Sequence, residues 1–167
     1  MRVLGIDPGL ATTGYALLEG ARGPRVIEVG VIRTSAEEPL SERLHTLYSD
    51  VRRLIEEYRP DVLAIEELFF NQNRTTAMVV AQARGVVLLA AHGLAIASYT
   101  PLQVKLRIAG YGHAKKPQIQ KMIQRWLKLK ELPKPDDAAD ALAVALCYLL
   151  ERRSPLRRAL SARTSRG

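Results

Sequence analysis

The fold is decided near the start of the chain, by the stretch Arg2-Val-Leu-Gly-Ile-Asp-Pro-Gly9. Its apolar residues predict a short buried strand, and the proline-glycine pair ends strand pairing and turns the chain. Asp7 therefore stands at the end of a buried strand, on the rim of the predicted sheet. Because α/β folds bind ligands at the carboxyl ends of their strands, Asp7 is the first candidate site residue.

Two further strands and a helix follow this segment, and then a strand like the first. Strand-like runs over residues 15–19 and 26–34 are separated by a turn that contains glycine and proline, which predicts an antiparallel meander. Apolar residues then recur at helical spacing over residues 40–58, and a proline ends that helix. The next short apolar strand, residues 62–65, is followed by Glu66. This acid repeats the arrangement at the end of the first strand.

The rest of the chain is predicted to be mostly helical. The predicted elements are a broad apolar helix over residues 74–92, a strand over 94–99, two short helices around 101–108 and 116–128, and a last helix over 136–152. This order of elements predicts an α/β fold, whose mixed sheet joins an antiparallel meander to parallel crossovers.

The charge of the chain is unevenly distributed. Its 167 residues include 25 Lys and Arg against 17 Asp and Glu, a net charge of +8. Residues 68–130 contain ten Lys or Arg and no acid, and residues 151–167 carry a net charge of +5. Basic segments are attracted to polyphosphate backbones, so the charge favours a nucleic-acid partner. The alternative is a solvated basic surface followed by a disordered tail.

Length and composition favour a single soluble domain. Cys147 is the only cysteine, which excludes an internal disulfide and a cysteine-based zinc site. The first residues place a charge and a proline where a signal peptide needs an apolar run, and no apolar stretch approaches about 20 residues. We therefore expect a cytoplasmic protein that has no membrane partner.

Four acids take positions that exposed acids rarely occupy. Asp7 and Glu66 follow two short strands, and their carboxylates converge if these strands are parallel neighbours. Asp137 and Asp140 lie three residues apart on the last helix, so both can lean over the same rim. Hard divalent cations such as Mg²⁺ require oxygen ligands, and gathering these carboxylates without a cation causes strong mutual repulsion. The pattern predicts a divalent-cation site suited to phosphodiester cleavage.

Two of these acids, and the neighbouring Asp136, also have simpler structural explanations. Asp7 is suited to the turn that follows it, Asp136 to capping the last helix, and Asp137 to the first helical turn. Asp140 is harder to explain in this way, because it interrupts an otherwise apolar helix. Glu67 should point to the opposite side of its strand from the preceding acid, so we expect it to be structural or exposed. Spacing alone leaves the choice between Asp136 and Asp137 open.

Five short motifs occur in order along the chain. They are Gly5-Ile-Asp-Pro-Gly9, Ala64-Ile-Glu-Glu-Leu-Phe69, Gln82-Ala-Arg-Gly-Val86, Gln103-Val-Lys105 and Asp137-Ala-Ala-Asp-Ala-Leu-Ala143. With this ordered set, residues 1–150 resemble the RuvC family of Holliday-junction resolvases. The resemblance implies a homodimer with an RNase H-like α/β fold, in which helices cover both faces of a mixed five-stranded sheet with an antiparallel meander. It also implies a metal-dependent endonuclease that resolves four-way DNA junctions in recombination and repair, by nicking two opposing strands.

The resemblance assigns roles to the acids. It implies that the catalytic, metal-binding residues are Asp7, Glu66, Asp137 and Asp140. It also selects Asp137 rather than the neighbouring Asp136. The implied cofactor is Mg²⁺, with Mn²⁺ as an alternative, at two ions per active site. Water attack on phosphorus would then leave 5′-phosphate and 3′-hydroxyl ends.

Three residues of the basic region match DNA-binding positions of the family. Phe69 matches an aromatic residue that touches bases near the crossover, although core packing would also explain it. Lys105 and Lys116 match basic residues near the phosphates, and surface solubility is the alternative for both. The helix over residues 77–91 is apolar on more than one face, so it is the candidate dimer contact. A wholly internal helix would explain the same pattern.

These observations predict a nuclease domain over residues 1–153 and a basic, flexible tail over residues 154–167. The expected partners are a four-way DNA junction and a second copy of the chain, with a branch-migration motor complex as a further candidate, at the nucleoid. The sequence leaves two other functions open. An actin-like ATPase domain would explain the glycine-containing turn after the first strand, and a catalytically silent DNA-binding module would explain the charge.

Overall fold

The structure is a computed structural model that describes residues 1–20, 23–67 and 74–153. The predicted tail and Phe69 lie outside these residues. The strands and helices of the described residues are, in chain order, β1 (Arg2–Asp7), β2 (Thr12–Glu19), β3 (Arg25–Arg33), α1 (Leu40–Tyr58), β4 (Val62–Glu66), α2 (Arg74–Ala90), β5 (Ala95–Tyr99), α3 (Pro101–Ala109), α4 (Lys116–Leu127) and α5 (Asp136–Arg153).

The strands form one mixed sheet in the order β3-β2-β1-β4-β5. The first three strands of the chain pair antiparallel, as the predicted meander requires, and β4 pairs parallel with both β1 and β5. Strand β1 therefore lies at the centre, with an antiparallel neighbour on one side and a parallel neighbour on the other. The predicted α/β fold with a mixed five-stranded sheet is confirmed.

Strand β2 is longer than its apolar residues predict. It begins at Thr12, whereas the apolar pattern begins only at Tyr15. The two threonines and the glycine that follows them carry no apolar signal, but all three pair with β3, and the glycine also pairs with β1. The buried Thr13 hydroxyl donates a hydrogen bond to the carbonyl oxygen of Gly9. This contact holds the turn that follows Asp7.

Helices cover both faces of the sheet, as predicted. Helix α5 packs across β1 and β2 with α3 and α4 beside it, over a core that includes Val3. Helices α1 and α2 pack over the opposite core, which includes Leu4 and Ile6. Because both faces of β1 are covered, its sequence is a continuous apolar run rather than an alternating one. In the described part of the chain, none of the helices has the length and apolar character needed to cross a membrane.

Helix α5 approaches the sheet closely because glycines face it. A Cβ atom on Gly5 would lie 2.3 Å from the carbonyl oxygen of Ala141, and one on Gly14 would lie 1.9 Å from that of Asp137. Gly14 is also the residue of β2 that pairs with Asp7. The backbone of the first turn of α5 therefore rests directly beside the end of β1.

Replacing Gly14 with alanine is expected to destabilise the fold and to shift the first turn of α5. The new methyl group would overlap the Asp137 carbonyl group, which cannot move unless the helix moves. Overpacking of this kind costs roughly 1–3 kcal/mol of unfolding free energy, and each kcal/mol lowers the thermal midpoint by roughly 2–4 °C. Thermal unfolding of the variant measures this loss.

The matched control for this substitution is Gly23→Ala. Among the described residues, no atom lies within 4 Å of a Cβ atom at that position. We expect this change to alter the unfolding free energy by less than about 0.5 kcal/mol, as is usual for surface substitutions. Equal effects of the two substitutions would contradict the close approach of α5 to β2.

Candidate active site

Asp7 and Glu66 lie side by side at one edge of the sheet. Ile6 and Ile65 pair in the parallel ladder between β1 and β4, so the acids that follow them sit at matching positions. Both acids are partly buried, and their carboxyl groups form a hydrogen bond with each other. Such a bond requires that one of the two carries a proton, because an ionised carboxylate can only accept.

Asp137 and Asp140 bring two more carboxylates to the same edge, from the first turns of α5. The backbone of Asp137 lies against Gly14, the strand residue paired with Asp7. Asp140 follows almost one turn later and lines the same cleft as Glu66. The charges of both aspartates reach Asp7 and raise its pKa. The structure therefore brings together the four acids that the sequence analysis singled out.

The surroundings of the four acids disfavour the ionisation of all of them at once. Burial raises the pKa of Asp7 most, and together with the neighbouring carboxylates of Glu66, Asp140 and Asp137 it brings this pKa to about 8. Burial and the charge of Asp140 likewise raise the pKa of Glu66, although its hydrogen bond with Asp7 and two nearby lysines oppose the shift. A proton or a cation at this edge relieves the repulsion.

Lys116 neutralises part of the cluster in this structure. Its Nζ atom lies 2.9 Å from Oδ2 of Asp140 and 3.3 Å from Oδ2 of Asp136. Asp136 is the more exposed of the two acids, and it also accepts a hydrogen bond from Gln120. The lysine that resembles a phosphate-binding residue of the family is thus in direct contact with the acids.

The donor set fits a divalent cation. Its four side chains offer carboxylate oxygens, the ligands that Mg²⁺ and Mn²⁺ prefer, and the raised pKa of Asp7 means that positive charge is favourable there. Among residues 1–20, 23–67 and 74–153, no three acids, histidines or cysteines are already arranged around one ion. Asp7 instead contacts Glu66, and Asp140 contacts Lys116.

A cleft of about 580 Å³ opens beside the acids. Glu66 and Asp140 line it together with Lys105, Lys115 and Lys116. A cleft of this kind can hold a phosphate group, because lysines bind its oxygens as point charges. Lys105 and Lys116 were predicted from the family resemblance. Lys115 was not, and only its place in the acid-free part of the sequence points to it.

Arg84, on α2, is a second residue that the sequence analysis did not single out. Its Nε atom donates to the carbonyl oxygen of Glu66 at 3.2 Å, and its Nη2 atom donates to Oγ of Ser98 at 3.0 Å. These bonds tie α2 to the ends of β4 and β5. Its place in the motif Gln82-Ala-Arg-Gly-Val86 was its signal in the sequence, but its partners depend on the order of the strands.

Of two other positions singled out in the sequence, the structure describes Glu67 and not Phe69. Glu67 is exposed, as expected, and its backbone N–H donates to the carbonyl oxygen of Tyr99. Phe69 lies outside the described residues, so its contact with DNA bases stays a prediction.

The raised pKa of Asp7 predicts how the metal-free protein responds to pH. Folded Asp7 holds its proton more tightly than unfolded Asp7, so its stabilising contribution is complete below about pH 4 and is lost as the pH rises to about 8. An asparagine stays neutral throughout. We therefore expect Asp7→Asn to match the parent at pH 4 and to unfold at a higher temperature than the parent at pH 8, in thermal melts with a chelator.

The control for this measurement is Glu67→Gln, which neutralises the exposed acid that follows Glu66 in the chain. Its midpoint should follow that of the parent at both pH values. If Asp7→Asn were the less stable protein at pH 8, burial and repulsion at Asp7 would be contradicted.

This chain is similar to known proteins over most of its length. The family model described as crossover junction endodeoxyribonuclease RuvC matches residues 3–148. A crossover junction endodeoxyribonuclease RuvC from Caldicellulosiruptor saccharolyticus is 53% identical over 160 residues, which are 93% of this chain and 96% of that relative. Another, from Desulfitobacterium hafniense, is 55% identical over 152 residues, which are 89% of this chain and 92% of that relative.

A solved structure agrees with these sequence matches. It is T. thermophilus RuvC in complex with Holliday junction substrate, with a TM-score of 0.87 and 39% identity over 92% of this chain and 95% of that chain. The predicted RNase H-like fold is thereby confirmed, as is the family inferred from the ordered motifs. The chain belongs to the RuvC family of crossover junction endodeoxyribonucleases.

Proposed function

We propose that this chain resolves four-way DNA junctions by paired hydrolytic nicks, with an active site built from Asp7, Glu66, Asp137 and Asp140. As a member of its family it is a metal-dependent endodeoxyribonuclease. The observation that supports the site is the meeting of these four acids at one edge of the sheet, where the pKa of Asp7 is raised to about 8.

The family membership also decides between the functions that the sequence left open. An actin-like ATPase domain is ruled out, because the chain matches the RuvC family over residues 3–148. A catalytically silent DNA-binding module would have no use for partly buried carboxylates that raise each other's pKa. Structural ion clusters aside, groups perturbed in this way gather at catalytic sites.

The four acids would hold Mg²⁺, or Mn²⁺ in its place. Such ions supply a Lewis acid that lowers the pKa of a bound water and stabilises the leaving oxygen of a phosphodiester. Asp7 is the central acid of the proposed site, because Glu66 lies on one side of it and α5 on the other. We propose two ions per site, since Mg²⁺ usually uses only one or two carboxylates and keeps several waters.

Lys105 and Lys116 would bind the phosphates next to the cut. Both line the cleft with Glu66, and their charges lower the pKa of its carboxyl group against the larger effect of burial. Without DNA, Lys116 binds Asp140 instead. We expect a phosphate that enters the cleft to replace Asp140 as the binding partner of the Lys116 ammonium group. Asp140 would then be available as a ligand for the cation.

Removing either lysine is expected to weaken junction binding at all DNA sequences. Each phosphate contact that is lost reduces the slope of log affinity against log salt by about one unit. We therefore expect Lys105→Ala and Lys116→Ala to lower the slope by about one unit each, measured by junction binding in a chelator from low to high salt.

The control is Arg53→Ala, which removes an exposed cation from α1, on the opposite face of the sheet. Its salt slope should equal that of the parent. Unchanged slopes in both lysine variants would contradict phosphate binding by these residues. They would favour a role in surface solubility.

A homodimer would supply the second cut. One acidic cluster cuts one strand at a time, while resolution of a junction requires two cuts. On α2, Met78, Gln82, Gly85 and Leu89 are all exposed and lie within about 60° of one another around the helix axis. Met78 and Leu89 are 66% and 65% exposed, which is unusual for large apolar side chains and indicates a contact surface. We propose this stripe as the isologous dimer contact.

Two further proposals follow from an activity on chromosomal junctions. The protein would be associated with the nucleoid, where its substrate is formed. A branch-migration motor complex would be a second partner there, because a motor moves the crossover to sequences at which the nuclease cuts.

A further inference from the structure

A groove on the outer side of α4 carries cations that the proposed active site does not use. It encloses about 420 Å³, and its polar wall is formed by Gln118, Lys121, Gln124 and Arg125. Gln118, Lys121 and Arg125 follow each other at spacings of three and four residues, so they form one row along the helix. The buried face of α4, which includes Ile119, points away from this row.

The two cations of this groove are free to bind an external anion. Lys121 and Arg125 are exposed, and neither forms an ion pair with a carboxylate among the described residues. Lys116, at the start of the same helix, differs because it binds two aspartates. No acid occurs anywhere in residues 68–130. The groove therefore presents two uncompensated positive charges.

Tyr111 adds an aromatic wall and links the groove to the active-site cleft. This residue is 46% exposed and lines the groove, while the residues that follow it, Gly112 to Lys115, line the cleft. The two depressions are thus separated by a single loop. Cations combined with an exposed aromatic ring are typical of surfaces that track a nucleic-acid backbone.

We propose that this groove binds the phosphate backbone of a junction arm whose scissile strand occupies the cleft. The helical rise places Lys121 and Arg125 about 7.5 and 13.5 Å beyond Lys116 along the axis of α4. These distances correspond to about two to four nucleotides along one DNA strand. An acidic protein surface would match the charges, but it would not explain why the groove adjoins the cleft. The proposal rests on the proposed function, because it takes the cleft to hold the cut strand.

The test is a comparison of the double variant Lys121→Ala/Arg125→Ala with the parent chain, on two forms of one junction. In the first form all linkages are normal, and in the second uncharged methylphosphonates replace the phosphates two to four nucleotides on either side of the cut. We expect methylphosphonates to weaken binding by the parent and to leave binding by the variant unchanged. The salt slope of the variant should fall by about two units. Its nicking rate at saturating junction should equal the parent's.

The matched control removes two cations elsewhere, by Arg25→Ala/Arg53→Ala. Arg25 lies at the start of β3, at the opposite edge of the sheet from Asp7, and Arg53 lies on α1. This control should behave as the parent does in every measurement. A salt slope in the double variant equal to the parent's, or an equal effect of methylphosphonates on both proteins, would overturn the proposal and leave an acidic protein surface as the occupant.

The experiment also separates this proposal from the proposed function. If the parent chain bound the junction but nicked it under no condition, the proposed active site would be contradicted. The binding measurements would still test whether the groove binds the DNA backbone, because they do not depend on cleavage.

Discussion

Asp7→Asn is expected to abolish junction nicking, with a loss of about 10³-fold or more in rate, as is common when a central catalytic group is removed. Asp7 contacts Glu66 and feels the charges of both α5 aspartates, so it lies at the centre of the proposed cation site. Asparagine has nearly the same shape, but it carries no charge to hold a cation. Binding of the junction in a chelator should therefore persist. Gel analysis of a strand-labelled junction measures both properties.

Two substitutions of neighbouring acids serve as controls. Asp136→Asn and Glu67→Gln should remain largely active, because the first acid is exposed and the second lies outside the cluster. Asp137→Asn should be inactive. Loss of nicking in Asp136→Asn together with full nicking in Asp137→Asn would show that the neighbour is the functional acid. Full activity of Asp7→Asn would contradict the mechanism.

Met78→Glu/Leu89→Glu is expected to convert the protein to monomers that still bind DNA. In an isologous contact each new charge occurs twice, and like charges brought together at an interface cost several kcal/mol. We expect the dimer dissociation constant to rise by about 100-fold or more, which corresponds to roughly 2.7 kcal/mol. Sedimentation at micromolar concentration measures assembly. On a cruciform plasmid, paired cuts give linear DNA and single cuts give nicked circles, so linear product should be lost first.

The choice of these two positions comes from the structure. Val80 and Ala81 lie on the same helix but are half-buried, so a charge there would also damage the fold. Leu40→Glu is the matched control, because Leu40 is an exposed apolar residue on α1, 43% exposed, at the first position of its helix. It should stay dimeric. If the wild-type chain were a monomer that still made paired cuts, the proposed dimer would be contradicted. If the chain were a dimer that both substitutions on α2 left intact, the proposed contact would be contradicted.

The acids of the site could be predicted because their positions follow from local patterns. Asp7 and Glu66 each end a short apolar run, and the ends of parallel neighbouring strands meet at one edge. Asp140 interrupts an apolar helix, and the family resemblance of the motif around it implies Asp137 as its companion. The order of strands and helices was predictable for a similar reason, because the change from strand-like to helical periodicity is visible in the sequence.

The contacts that arrange these acids could not be predicted, because they join residues far apart in the chain. Lys116 binds Asp140 from another helix, which requires knowing how α4 packs beside α5. Arg84 reaches the backbone of Glu66 only because β4 and β5 are neighbours. Gly14 gave no strand signal at all, although the approach of α5 depends on its missing side chain.

The most direct test of the account is cleavage of a synthetic four-way junction, labelled on two opposing strands, with and without Mg²⁺ or Mn²⁺. We expect no cut in the presence of a chelator. When either ion is added, we expect nicks at symmetric positions of both strands, with 5′-phosphate ends. Nicking in the presence of the chelator, or junctions that stay intact at every concentration of both ions, would contradict it.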